Sequence, residues 1–295
     1  MRAVAAWLVA RPQNGVVTLA ATLVLPAPQF SSGVIMVLLV LAQGVRLAVI
    51  QALIAGAFLA VLGLFWGYSL GETLTGMLLV WAPLVFLAML LLTTRSLTLT
   101  LQFSVLLMAV AVVGFYLAVA DPVAFWQPIM DKAIELWRQS NMQEQAELMA
   151  AQPEAVAELA TVVAAWSGWT VYVVSLLWGY WLYSQLPGET RSFGRFQDLN
   201  FGRVIAMTLV LAIVLGVAFG ANWLLNIALV LFAVFWLQGL AILHFVHGQG
   251  YLPVFGLIAA YALLPFLHVV LVMSLAFAGY TDAWFGFRKR IAASR

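Results

Sequence analysis

The sequence predicts an all-α fold: a polytopic transmembrane helical bundle of eight to nine spans with an amphipathic helical outer segment. Three observations predict it. Hydrophobic residues make up 65% of the 295 positions and charged residues only 8%, against about 25% charged in an ordinary soluble domain. Apolar runs recur that are long enough to cross a hydrocarbon core of about 30 Å as helices, and none alternates as a membrane β-barrel strand would. One long stretch, residues 121–158, cannot sit in a bilayer. It holds seven of the eleven acidic residues (Asp121, Asp131, Glu135, Glu144, Glu147, Glu154 and Glu158) beside only Lys132 and Arg138. The chain reads as one integral membrane domain, 1–295. A first group of spans covers 1–120, acidic extramembrane helices cover 121–158, and a second group covers 159–295.

Residues 1–12, with Trp7 between arginines, suit an interfacial helix or the start of a kinked first span. Arg2 and the apolar Ala3–Ala10 resemble a signal sequence, but Arg11, Gln13 and Asn14 interrupt the run and more spans follow, so no cleavage is expected. Val16–Pro26 and Val34–Leu41, joined by Pro26-Ala27-Pro28, are each marginal for a crossing. They fit short tilted spans buried among other helices, or the arms of a hairpin. Leu47–Trp66 is a clear span. Along it Ala52, Gly56 and Ala60 form a small-residue ridge on which another helix can pack closely. Thr73–Leu92 and Leu99–Ala120 follow, joined by a turn at Arg95.

Asp121-Pro122 has the form of a helix start, an acidic N-cap before a first-turn proline. Phe125, Ile129, Ala133, Leu136 and Trp137 then recur at helical spacing between charges, which gives an amphipathic helix lying on the membrane or on the bundle mouth. Pro153 breaks the chain before the next span. The second group comprises Leu159–Leu186, rich in interfacial tryptophan and tyrosine, then Val204–Phe219, Trp223–Phe245 and Leu252–Ala278. A polar loop at 187–203 carries Arg191, Arg195 and Arg203.

Basic residues favour the cytoplasmic side. That places Arg46, Arg95 and the Arg191–Arg203 loop inside and residues 121–158 outside. The tail Arg288-Lys289-Arg290 conflicts, because three crossings after Arg203 would put it outside. Either a late segment is re-entrant, with Pro265 breaking the last one into two arms, or the rule fails at the tail.

The formal charge of +2 and the scattered bases give no nucleic-acid-binding stripe. With no cysteine, thiolate chemistry and cysteine-ligated metals are excluded. The chain has no P-loop, no His-Glu metal helix, no Gly-x-Ser-x-Gly elbow and no Rossmann fingerprint. Neither an enzyme nor a cofactor or metal is expected. Polar residues inside spans are costly and so become the binding candidates: Gln51, Asn226 and Gln238, for which helix–helix hydrogen bonds are the plainer explanation. His244 and His247 share a helix face, and His268 lies beside Pro265, where it could bond a carbonyl freed by the proline. Asp282 and Arg288 read as an interfacial ion pair. No span has an acid at its centre, as an ion-coupled transporter would need.

Two further stretches are Phe235-Trp236-Leu237-Gln238-Gly239-Leu240-Ala241-Ile242-Leu243-His244-Phe245 and Gly279-Tyr280-Thr281-Asp282-Ala283-Trp284-Phe285-Gly286-Phe287-Arg288-Lys289-Arg290. With the Trp181–Arg203 region they resemble the YybS-like family of uncharacterised bacterial inner-membrane proteins. That family is distantly similar to the substrate-binding components of energy-coupling-factor importers, six-helix bundles that capture vitamins. The resemblance implies a multi-pass protein of the bacterial inner membrane that binds a small molecule, with possible membrane-protein partners besides the lipid bilayer. The importers' docking pattern of alanines in the first span is absent from Val16–Pro26, and only Ala6 and Ala10 show its spacing. The alternative is an envelope scaffold working through the Ala52-Gly56-Ala60 ridge and the 121–158 helices.

Overall fold

The computed structural model describes residues 1–188 and 192–293, so the expectation for Arg191 lies outside the described residues. Among the described residues there are fourteen α-helices, one short 3-10 turn and no strand. Seven helices are long and apolar enough to cross a membrane, fewer than the eight to nine spans expected. Two causes account for the difference. Val34–Leu41 lies in Pro28–Gln43, which is apolar but short, and Val16–Pro26 folds into a helix of only 12 residues, Pro12–Leu23, about 18 Å long at 1.5 Å per residue. The chain divides into two compact units, residues 1–101 with 169–195, and residues 102–168 with 196–295.

The first unit is built around a short central helix. α1 (Arg2–Ala10) ends at Arg11, whose backbone is extended, and α2 (Pro12–Leu23) starts on a proline at its first turn. Ala27, in the left-handed region at φ 55°, turns the chain into α3 (Pro28–Gln43). Every residue of α3 from Ser32 to Leu41 is buried. A helix that is apolar all round is buried all round, so Val34–Leu41 lies buried among other helices and, with α2 folded back on it, is also one arm of a hairpin. α2 folds back on it, with Ser31 and Ser32 donating to the carbonyls of Thr22 and Leu19. α4 (Val45–Phe65) and α5 (Leu70–Thr94) form an antiparallel hairpin. Gly63 lies opposite Thr73, and Gly56 opposite Met77 and Trp81. The ridge of Ala52, Gly56 and Ala60 is thus buried, and Gly56 packs on α5. Trp81 donates to Ser32 and fixes α5 against α3.

α9 (Pro153–Ser184) contributes its second half to this unit. A methyl on Gly179 would sit 2.5 Å from Val37 Cβ, so only glycine lets α9 approach α3 this closely. Basic residues gather at one end. Gln43 bonds the carbonyl of Val9, which brings the Arg11 break to the Gly44–Arg46 turn. Leu97, two residues after Arg95, donates to the carbonyl of Phe193, beside Arg195.

The second unit holds most of α6 (Leu97–Ala118), α7 (Pro122–Gln139), α8 (Gln143–Ala150), the first half of α9, and the helices beyond residue 195. Asp121 caps α7 by accepting from the Ala124 backbone, as the sequence predicts. Of α7's apolar residues only Ile134 is buried, while Phe125, Ile129 and Leu136 stay exposed. α9 starts at Pro153, so Glu154 and Glu158 belong to the first turns of a 32-residue helix. Trp126 ties α7 to α9 through Thr161. α10 (Gly202–Phe219) and α11 (Asn222–Gly248) are joined by a turn at Gly220. Asn226 bonds Tyr116 and the carbonyl of Glu158, so the α10–α11 turn lies at the acidic end.

Leu252–Ala278 is not one helix. α12 (Val254–Leu263) stops before Pro265, α13 starts at His268 and runs to Phe285, and α14 (Phe287–Ala293) follows. α13 crosses α11 where two glycines let the backbones meet. A methyl on Gly239 would lie 2.6 Å from the Leu275 carbonyl carbon, and one on Gly279 would lie 2.9 Å from the Gly239 nitrogen. After α11 the chain is back at the end of this unit that holds residues 196–203, since a methyl on Gly248 would touch Gln197. Arg288 bonds the carbonyls of Gln197 and Leu199 at 2.8 and 2.7 Å. The segment from α12 to α13 therefore leaves from one end and returns to it. Both ends of this segment lie at one end of the unit, the arrangement that the re-entrant alternative requires.

Candidate functional site

Helix lengths create a concavity in the first unit. At 1.5 Å per residue, α3 with its 16 residues reaches about 24 Å, whereas α4 with 21 and α5 with 25 reach about 32 and 38 Å. α3 and α4 share the Gly44 turn, so α4 and α5 overhang α3 at the far end. The overhang borders an open pit of about 550 Å³, within the range of about 300–1,000 Å³ usual for small-molecule pockets. Leu23, Val24, Pro28 and Gln29 from the α2–α3 turn line one side. Leu59, Met77 and Val80 form a buried apolar wall, and Trp66, Tyr68 and Glu72 stand exposed at the rim.

Glu72 has a local structural task. Its Oε2 accepts from the Ser69 backbone N–H at 2.9 Å and from Ser69 Oγ at 2.7 Å, while Ser69 Oγ accepts from the Glu72 N–H. This reciprocal cap satisfies the start of α5. Both bonds use one oxygen, so Oε1 remains free for another partner. Among the described residues no lysine or arginine lines the pit.

The second unit contains a buried polar cluster. Asp282 is 1% exposed and Arg288 8%. Arg288 grips the carboxylate through Nε and Nη2 at 2.9 and 2.7 Å. Gln238 donates to Asp282 Oδ2 and accepts from the Phe201 N–H. The pair is buried within the protein, and the carbonyls of Gln197 and Leu199 and the amide of Gln238 complete it. The adjoining cavity is about 200 Å³, and Asp282 and Arg288 on its lining are engaged with each other. It acts as a clasp holding the tail to the 196–203 loop.

The other candidates disperse. Gln51 donates to Gln43, and its Oε1 occupies the place a Gly15 side chain would need. His244 pairs with the Tyr261 hydroxyl and His247 with the Leu252 carbonyl. His268 is exposed at the start of α13 and makes no bond to a carbonyl, contrary to expectation. No group of three potential metal ligands occurs among the described residues. Only Gln238 joins a polar site. Sequence reasoning missed Trp66, Tyr68 and Glu72, although the shortness of the Val34–Leu41 segment beside two full spans was the available signal. Comparison with protein-family models, with curated proteins and with solved structures gave no match.

Proposed function

We propose that this chain is a small-molecule-binding membrane component, of the kind that hands a captured ligand to a transport partner, and that the pit between α2, α3, α4 and α5 is its binding site. One observation carries the reading: a roomy, mostly apolar concavity with a few polar groups at its rim, made by helices of unequal length. The pit opens at the end of the first unit opposite Arg11, Arg46, Arg95 and Arg195. By the preference of basic residues for the cytoplasm the ligand enters from the outer face, in keeping with an inner-membrane importer component. A scaffold reading draws less support, because the Gly56 ridge is occupied by α5 and leaves only the exposed apolar face of α7 for a partner.

The test is purification in mild detergent at native expression level, with mass spectrometry of released small molecules and of co-purifying proteins. A stoichiometric ligand is expected from the wild type and not from Gly76→Trp, which adds bulk at the pit wall where a side chain meets open space. Envelope proteins in the eluate with no ligand, or a ligand retained by Gly76→Trp, would overturn the assignment.

A further inference from the structure

We infer that the ligand of this pit is an organic cation with an apolar body, its charge held at the rim by Glu72 Oε1 and its body against Trp66, Tyr68 and the Leu59–Met77–Val80 wall. The inference rests on the pit being a ligand site and adds the sign of the ligand's charge.

Four helix ends border the pit: the C-termini of α2 and α4, and the N-termini of α3 and α5. C-terminal ends carry a partial negative charge and N-terminal ends a positive one, so the four offset in pairs. The α5 N-terminus is moreover already capped by Ser69 and Glu72. What remains is one full charge, the carboxylate of Glu72, with one oxygen unengaged. An anionic ligand would meet this carboxylate with no lysine or arginine on the lining to offset it. A cation gains the carboxylate, and the faces of Trp66 and Tyr68 attract it further. The apolar wall, with Leu59, Met77 and Val80 at 7, 5 and 3% exposure, excludes a small hydrated ion such as sodium and asks for a hydrocarbon body.

The experiment compares three probes of one body and different head: phenylbutylammonium, phenylbutanol and phenylbutyrate. Binding to the full chain in lipid nanodiscs is measured by equilibrium dialysis against empty nanodiscs. The expected order is ammonium, then alcohol, then carboxylate, with about three- to five-fold between the first two, the size of an exposed charge contact. Glu72→Gln retains the helix cap, since glutamine serves at that position, and should reduce the ammonium-to-alcohol ratio to about one. Gly76→Trp should remove binding of all three. Tightest binding of phenylbutyrate, or an ammonium preference that survives Glu72→Gln, would overturn the cation inference while leaving the pit as a ligand site. Binding of none of the probes above empty nanodiscs, or binding unchanged by Gly76→Trp, would count against the pit itself.

Discussion

A single hydrogen-bonded pair and two glycines account for how the C-terminal third holds together. Asp282 and Arg288 are buried together, and removing one partner of such a pair costs about 3–5 kcal/mol because the other is left as an unpaired buried charge. Arg288→Met should therefore lower stability by that amount in a denaturant titration in detergent, and Asp282→Leu with Arg288→Met should recover much of the loss. A single-variant change below about 1 kcal/mol would show that the clasp is loose or wet. The glycines make a paired comparison. Gly239→Ala forces a methyl into the Leu275 backbone, and overpacking of this kind costs about 1–3 kcal/mol. Gly114→Ala meets nothing within 4 Å and should be neutral or stabilising by up to about 1 kcal/mol, as glycine is a poor helix former. The same melting experiment reads both, and equal effects would mean that α11 and α13 do not meet at Gly239.

Among the elements, the broken pair α12–α13 bears on how many times the chain crosses. Its ends stand at one end of the second unit because Arg288 reaches Gln197 and Leu199. The chain has no cysteine, so single-cysteine labelling with a membrane-impermeant maleimide is free of background. Asp198→Cys and Lys289→Cys should label from the same side, and Ser140→Cys, in the turn between α7 and α8, from the other. Labelling of Lys289→Cys together with Ser140→Cys would restore a full crossing to the last segment. α7 is the other element whose packing its sequence does not show. Its apolar residues recur at helical spacing, yet Phe125, Ile129 and Leu136 are exposed. That arrangement suits a helix lying at a membrane surface with its apolar side in the headgroup region.

For the molecule as a whole, the two units carry different work. The first, around the buried α3, makes the pit. The second anchors the acidic stretch at one end and the tail at the other. If the pit binds ligand, a saturating ligand should raise the melting temperature of the wild-type chain, since anything that binds only the folded state stabilises it. At 100 times the dissociation constant the gain is about 2.7 kcal/mol, and Gly76→Trp should show none of it. An equal shift in both proteins would place the ligand elsewhere, for instance in the lipid or detergent around the exposed helices.

By itself the sequence determined the helical membrane class, the acidic stretch, the Asp121 cap and the break at Pro153, and it offered a break at Pro265 as one of two alternatives. These depend on local chemistry: uninterrupted apolar runs, prolines that lack an N–H, and acids that cannot enter hydrocarbon. Tertiary structure decided the rest. That Val34–Leu41 is buried on every side and that α2 folds back on it depend on which helices surround it. Whether the tail shares a side with Arg203 depends on a contact between residues 89 and 91 positions apart. The pit follows from a difference in length between neighbours, and that difference has no position in the sequence until α2, α3, α4 and α5 stand side by side.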